Sequence, residues 1–388
     1  MQKRDLIIIG ANEFQQPLVE KARHLGYKTH VFAWEEGAVC KEIADQFYNI
    51  SITEKDKILE QAKRINPLGI ASIGSDLAVI TVNYISNSLG LTANSMHSTE
   101  ISTDKYKMRK ALHENNLPCP RFVIADDDNN LEKTSNMRFP LIIKPVDRSG
   151  SRGVTLVCDK DEENLNPAIR YAREQSFINQ AIMEEYIEGQ EYSMEMLSYK
   201  GEHHFLAITE KFTTGAPNFV ETMHLQPGRI EPDILEKAIK IMMQALDALC
   251  IECGASHAEF KVDDHGNIMI IEIGARMGGD YIGSHMVPFS TGFDYIRMVI
   301  DIAVGKEITV NKKERLNQAV LVKFIFNRED IDNYEAIKNE FPESLAYSSN
   351  IDEIDLNCNA LINDSSKRLG FYIVQGKELA DCLTLVKD

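Results

Sequence analysis

Residues 257–280 read HAEFKVDDHGNIMIIEIGARMGGD, and the fold of the chain turns on how this stretch is taken. Its first half alternates, with Ala258, Phe260 and Val262 on one side and Glu259 and Lys261 on the other. Its second half, 268–273, is an apolar run interrupted only by Glu272. Alternation followed by a short apolar run predicts the two strands of a hairpin. With Asp264, His265, Gly266 and Asn267 as a four-residue turn, Val262 faces Met269 and Glu259 falls opposite Glu272. Two carboxylates facing each other across neighbouring strands repel unless a positive charge sits between them.

A divalent cation is one solution. Oxygen-only ligands favour Mg²⁺ or Mn²⁺, and His257 and His265 lie too near their strand ends to share a tetrahedral zinc site. Arg276, Gly278 and Gly279 follow, a guanidinium and a close-approach loop suited to phosphate. The same residues also fit a solvent-exposed hairpin whose acids pair with Lys261 and Arg276. This stretch alone does not separate the two.

The chain around it has 388 residues, enough for two or three domains, with 44% hydrophobic and 26% charged residues, the balance of a soluble globular protein. A formal net charge of -17 excludes a nucleic-acid or anionic-membrane partner as an expectation, although a few local cations with Mg²⁺ can still hold a small polyphosphate. No apolar run reaches transmembrane length and MQKRDLIIIGANEFQ lacks a cleavable signal pattern, so a cytoplasmic protein is expected. Seven scattered cysteines fit a reducing compartment. Cys250 and Cys253 form a CxxC inside a helical-looking run, 238–253, and read as buried helix cysteines rather than a redox or zinc pair.

The opening is a strand (6–9), a turn at Gly10, a helix (16–25) and a second strand (27–33). The turn GANEFQ lacks the later glycines of a dinucleotide fingerprint, which argues against NAD. A helix (55–66), a strand (69–72) and a helix (78–89) complete an α/β domain whose loops at 10–13 and 74–76 are where such a sheet places a ligand. Ser75 and Asp76 also read simply as a helix cap.

Asp104 and Lys105 open a further helix. After a strand at 122–124 and an acidic, Asn-rich surface loop at 126–130 comes FPLIIKPVDRSGSRGVTLV. Here a strand carries Lys144, and the loop of Ser149, Gly150, Ser151 and Gly153 can fold over phosphates; a mobile hairpin with an exposed lysine is the plainer reading. The loop is not followed by GKS or GKT, so it is no Walker A loop. The next stretch, AIMEEYIEGQEYSMEM, holds Glu184, Glu185, Tyr186 and Ile187 in an extended segment and Glu191 at the start of another strand. Such a segment can offer main-chain groups to an adenine edge and a carboxylate to ribose hydroxyls, or simply turn its acids to water.

In this order the pieces resemble the ATP-grasp superfamily, over residues 103 to about 306. The resemblance implies an α/β and α+β architecture: an N-terminal Rossmann-like pre-ATP-grasp domain (1–100), an ATP-grasp domain of two α+β subdomains (101–308, lid about 122–188) and a small C-terminal α+β cap (309–388). It implies ATP and Mg²⁺ or Mn²⁺ as cofactors. Lys105 and Lys144 would contact phosphates under the 149–153 loop, Glu184 to Ile187 would hold adenine, Glu191 the ribose, and Glu259 and Glu272 the metal. Arg276 would meet the transferred phosphate or a substrate carboxylate. The family commonly has Asn where Gly274 stands, so one metal would be held more weakly or completed by water.

Glu221 and His224, three apart in a polar loop with Lys211, together with EIGARMGGD, resemble the superfamily's amino-acid ligases, where the glutamate lies by the metal or the substrate amine and the histidine by the acyl phosphate. Alone, His224 would read as a surface or capping histidine. The implied enzyme is an ADP-producing, carbon–nitrogen bond-forming ligase whose partners are a small carboxylate and an amine, with amino acids first among them. Alternatives are an enzyme of purine synthesis or of biotin-carboxylase type, a nucleotide-binding protein without ligase activity, and a dinucleotide oxidoreductase that lacks its glycines. Related folds often dimerise through the N-terminal region, which leaves a homodimer open. Residues 310–388 show no further acid pair or glycine loop, and the sequence assigns them no chemistry.

Overall fold

The computed structural model describes residues 4–125, 130–310, 316–351 and 365–386. The Asn-rich loop expected at 126–130 lies outside them except for Asn130, which is buried at the start of a short helix.

The apolar run DLIII becomes β1 (Asp5–Ile9), flanked in a parallel sheet of order β3-β2-β1-β4 by β2 (Lys28–Ala33), β3 (Gln46–Asn49) and β4 (Gly69–Ala71). A strand buried on both faces needs no alternation. Leu6 and Ile8 pack against the helix Gln16–His24 and the helix Tyr295–Ala303, whereas Ile7 and Ile9 pack against the helices Lys55–Ile65 and Asp76–Leu89. Ser75 caps the last of these, its Oγ accepting from Ala78 N–H at 3.2 Å.

The second sheet is antiparallel, of order β5-β8-β6-β7, from β5 (Phe122–Ala125), β6 (Leu141–Pro145), β7 (Thr155–Val157) and β8 (Ala181–Glu185). The helix Glu162–Gln175 covers it through Leu165, Ala168, Ile169 and Ala172.

The third sheet holds β9 (Gln190–Tyr199), β10 (Glu202–Thr213), β11 (Glu221–Gln226), β12 (Gly254–Val262), β13 (Ile268–Gly274), β14 (Ala319–Ile325), β15 (Leu345–Ser348) and β16 (Gly370–Gly376), in the order β13-β12-β9-β10-β11-β14-β16-β15. Its first half packs on the helix Pro232–Ala248. The C-terminal strands, expected in a small α+β cap packed on the catalytic domain, meet it through β14, which pairs with β11 from Met223↔Lys323 to Gln226↔Val320 and continues the same sheet. An edge left open at β11 would expose a row of unpaired N–H and C=O groups, and β14 closes it.

Two expectations are corrected. The helix ends at Ala248, so the CxxC follows it: Cys250 is exposed in a turn at φ 51°, and Cys253 is half-buried beside Asn94. Glu221 and His224 lie on strand β11, not in a loop. The register slips there, with Phe212 opposite Met223 and Thr213 opposite Glu221, leaving Thr222 as an extra residue. That bulge puts two residues three apart on one face, which a regular strand does not.

Candidate active site

The hairpin of β12 and β13 pairs Glu259 with Glu272, as expected, but by a different route. Its turn takes residues 263–267, Val262 faces Ile268 rather than Met269, and a bulge at Ile271 restores the register. Each acid is met by a lysine rather than by the Lys261 and Arg276 of the plainer reading. Lys105 Nζ donates to Glu272 Oε1 (2.8 Å) and to the Arg148 carbonyl (2.7 Å). Lys211 Nζ donates to Glu259 Oε1 (2.6 Å) and lies 3.1 Å from Glu191 and 3.5 Å from Glu221. Burial disfavours the Lys211 ammonium, but its three carboxylates outweigh that and hold its pKa well above the usual value. Burial likewise disfavours the Glu259 carboxylate, and Lys211 with His257 outweighs it, holding its pKa well below the usual range.

Two cavities adjoin here. One, of about 190 Å³, lies between the second sheet and the β12–β13 hairpin, lined by Lys144, Ser149, Gly150, Ser151, Glu184, Glu185, Tyr186, Ile187 and Glu191 among others. The other, of about 330 Å³, is bounded by Asn12, Phe14, Gly74, Ser75 and Asp76 of the N-terminal loops and by His224 and Asp280. They share Lys105, Lys211, Glu221, Glu259, Glu272 and Arg276, together with Arg148, Arg152, His257 and the loop residues Ser149 and Gly150. Gly153 lines neither; at φ 73° it returns the 147–153 loop to β7, while Ser151 Oγ donates to the Phe219 carbonyl (3.2 Å).

Several expected residues are already engaged. Lys144 pairs with Glu184 (2.7 Å), which also pairs with the fully buried Arg109 (2.8 Å). Burial lowers the Lys144 pKa, with Arg109 adding to the effect against the pull of Glu184. The Glu184 carboxylate is therefore engaged by these two cations. Glu185 is held by Arg138 on the outer side (2.9 Å). Its N–H donates to the Arg121 carbonyl (2.9 Å) and that of Tyr186 to the Pro140 carbonyl (3.0 Å). The Ile187 carbonyl accepts from Lys261 Nζ (3.1 Å), which lies 4.8 Å over the Tyr186 ring. Arg276 forms a two-point pair with Asp76, and Asp76 holds it in place from the N-terminal unit.

His257 sits between Glu195 and Glu259; burial disfavours its charge, but these two acids raise its pKa to about 9. His224 is fully buried and, among the described residues, has no hydrogen-bond partner; burial lowers its pKa. Sequence reasoning gave no role to Lys211, Arg109, Glu195, His257, Asp280 or Arg368. For Glu195, Lys211 and His257 the signal was present, as charged residues on the buried faces of strands.

These elements define a nucleotide-type site: lysines and a glycine loop around one cavity, opposed acids at its junction with another. Among the described residues, no three His, Cys, Asp or Glu side chains gather as an all-protein metal cage. Two carboxylates with the remaining positions left to phosphate oxygens and water is the donor set that suits Mg²⁺. Residues 137–284 match the family model of the ATP-grasp domain. ATP-grasp ligases use ATP with Mg²⁺.

Among known proteins, the chain is similar to an alanine–anticapsin ligase of Bacillus subtilis, 25% identical over 283 residues that cover 65% of this chain and 58% of that ligase. The match thus spans little more than half of that relative's length. Over 99% of its length the chain superposes on an L-amino acid ligase from Bacillus licheniformis (TM-score 0.82, 20% identity, 96% of that chain). It also superposes on an N5-carboxyaminoimidazole synthetase from Staphylococcus aureus solved with ADP (TM-score 0.76, 15% identity, 98% and 95% covered). No helix among the described residues is long and apolar enough to cross a membrane.

Proposed function

We propose that this protein is an ATP-dependent carboxylate–amine ligase that joins two small substrates, amino acids first among them, through an acyl phosphate. The observation that carries this reading is the shared wall. Lys105, Lys211, Glu259, Glu272 and Arg276 face both cavities, so a nucleotide's terminal phosphate in one can meet a carboxylate in the other.

In this reading the smaller cavity takes ATP. The Tyr186 carbonyl and the main chain beyond it face the base, Glu191 the ribose, and Lys105, Lys144 and the loop of Ser149, Gly150 and Ser151 the phosphates. Glu259 and Glu272 would hold Mg²⁺, which would neutralise phosphate charge during transfer. Phosphoryl transfer asks chiefly for positioning and charge neutralisation, and these side chains supply both without a covalent protein nucleophile. The γ-phosphoryl group moves to a substrate carboxylate oxygen and ADP leaves. The amine nitrogen then forms a bond to the carbonyl carbon as the carbon–oxygen bond to phosphate breaks. Arg276, fixed by Asp76, faces the carboxylate and the departing phosphate. His224, neutral because it is buried, can take a proton from the incoming ammonium and so free the amine lone pair for attack.

A purine-synthesis enzyme would place a ribonucleotide phosphate in the second cavity. Arg148, Arg152 and Arg276 line that cavity and Arg276 is committed to Asp76, so the substrate requirement, not the lining, separates the two readings. The test is ADP formation with each substrate alone and with pairs. Turnover that needs both a carboxylate and an amine supports the ligase; ADP release indifferent to the amine contradicts it.

A further inference from the structure

The C-terminal segment contributes an arginine that the mechanism above does not use. Arg368, just before β16, reaches between β11 and the loop after β13. Its Nη2 donates to Glu221 Oε2 (2.9 Å) and to the Glu221 carbonyl (3.2 Å), and its Nη1 lies 2.8 Å from Asp280 Oδ1. The guanidinium face rests 3.7 Å over Phe324. Asp280 and Tyr281 hold φ of 51° and 64°, a left-handed conformation that non-glycine residues keep only where their surroundings impose it.

His224 lies beside this pair. Its ring stands edge-on to Phe324, and its Nε2 is 3.7 Å from Asp280 Oδ2, too far for a hydrogen bond. The charged groups facing it are Asp280, Glu221 and Lys211. With His224 neutral, the acids Glu191, Glu221, Glu259 and Asp280 outnumber the cations they meet, Lys211 and Arg368, and negative charge is in excess beside the second cavity. That excess suits an ammonium group.

We propose that Arg368 is a positioning residue for an ammonium subsite formed by Glu221, Asp280 and His224. The inference rests on the ligase reading and adds the residue that maintains the subsite's geometry. By occupying Asp280, Arg368 keeps that carboxylate from turning onto His224. Without the guanidinium the two acids repel, Asp280 pairs with the imidazole, and a charged His224 then opposes the incoming ammonium.

The experiment compares full-length Arg368→Met and Arg368→Lys with the wild type in two readouts. In steady-state kinetics, Arg368→Met is expected to raise the KM of the amine substrate at least tenfold and to leave that of Mg²⁺-ATP within about twofold, with Arg368→Lys partly restoring it. In NMR titration of labelled histidine, assigned with His224→Asn, the His224 midpoint is expected to rise by about one pH unit or more in Arg368→Met and to return in Arg368→Lys. An unmoved amine KM together with an unmoved midpoint overturns the inference. If no amino-acid pair supports wild-type turnover, the ligase reading fails separately; the titration then decides alone, a restored shift supporting the role of Arg368 and no shift overturning it. Should Arg368→Met not fold, Asp280→Asn replaces it: a higher amine KM without an upward His224 shift supports the inference, and an unchanged KM overturns it.

Discussion

Asp76 meets Arg276 through two parallel contacts, Nε to Oδ1 and Nη2 to Oδ2, each 2.9 Å. One residue opens a helix of the N-terminal unit; the other follows β13 in the third sheet, and the pair fixes the arginine at the junction of the two cavities. Breaking a buried pair from one side leaves an unpaired charge. Asp76→Asn is expected to cost about 1–3 kcal/mol of stability, less than a fully buried pair because water reaches both groups. It should also lower turnover at least tenfold with little change in the KM of Mg²⁺-ATP. Denaturant midpoints and steady-state kinetics check the two halves.

The same pair explains Gly274. A Cβ there would fall 2.9 Å from Asp76 Oδ1 and 3.2 Å from Arg276 Cζ, so the side chain that the family commonly has at this position requires the pair to shift. Gly274→Asn is expected to displace the Asp76–Arg276 pair and to lower activity without tightening Mg²⁺ dependence. A magnesium titration of turnover reads this directly, and a lower Mg²⁺ requirement with activity retained would contradict it.

Lys144 is tied to Glu184, and Glu184 keeps Arg109 when Lys144 is removed. Lys144→Met should therefore fold, yet bind Mg²⁺-ATP about 10–100-fold more weakly, as the loss of one charge-assisted contact implies. Calorimetric titration of nucleotide is the measurement.

Away from the site, His285 packs against Tyr281, Phe289 and Tyr347, and burial lowers its pKa from 6.5 to about 4. The folded chain keeps it neutral while the unfolded chain takes up a proton below pH 6.5. Its contribution is present above that pH and is lost as pH falls toward 4, by at most about 1.4 kcal/mol per pH unit. Between pH 6.5 and 5, thermal stability should fall more steeply in the wild type than in His285→Phe.

What the sequence made legible was mostly local. Alternation and apolar runs placed the β12–β13 hairpin and the strand of Lys144. Asp104 was readable as the start of a helix, and its Oδ1 caps Lys105–Glu114 by accepting from Lys107 N–H. The Glu259–Glu272 pairing came out right because a turn counted one residue short was offset by a bulge that no pattern announced. Lys211 acquires its three carboxylates only from the register of neighbouring strands, and Arg368 reaches the site only because β14 and β16 join the sheet beyond β11. Such long-range pairings leave no periodic trace around the residues they bring together.

The most direct test of the central claim is phosphate release from Mg²⁺-ATP against an array of single amino acids and amino-acid pairs, with Glu272→Gln as the control. The ligase account predicts release that requires a particular pair and disappears in the variant. Release that needs no amine, or that persists unchanged in Glu272→Gln, would contradict it.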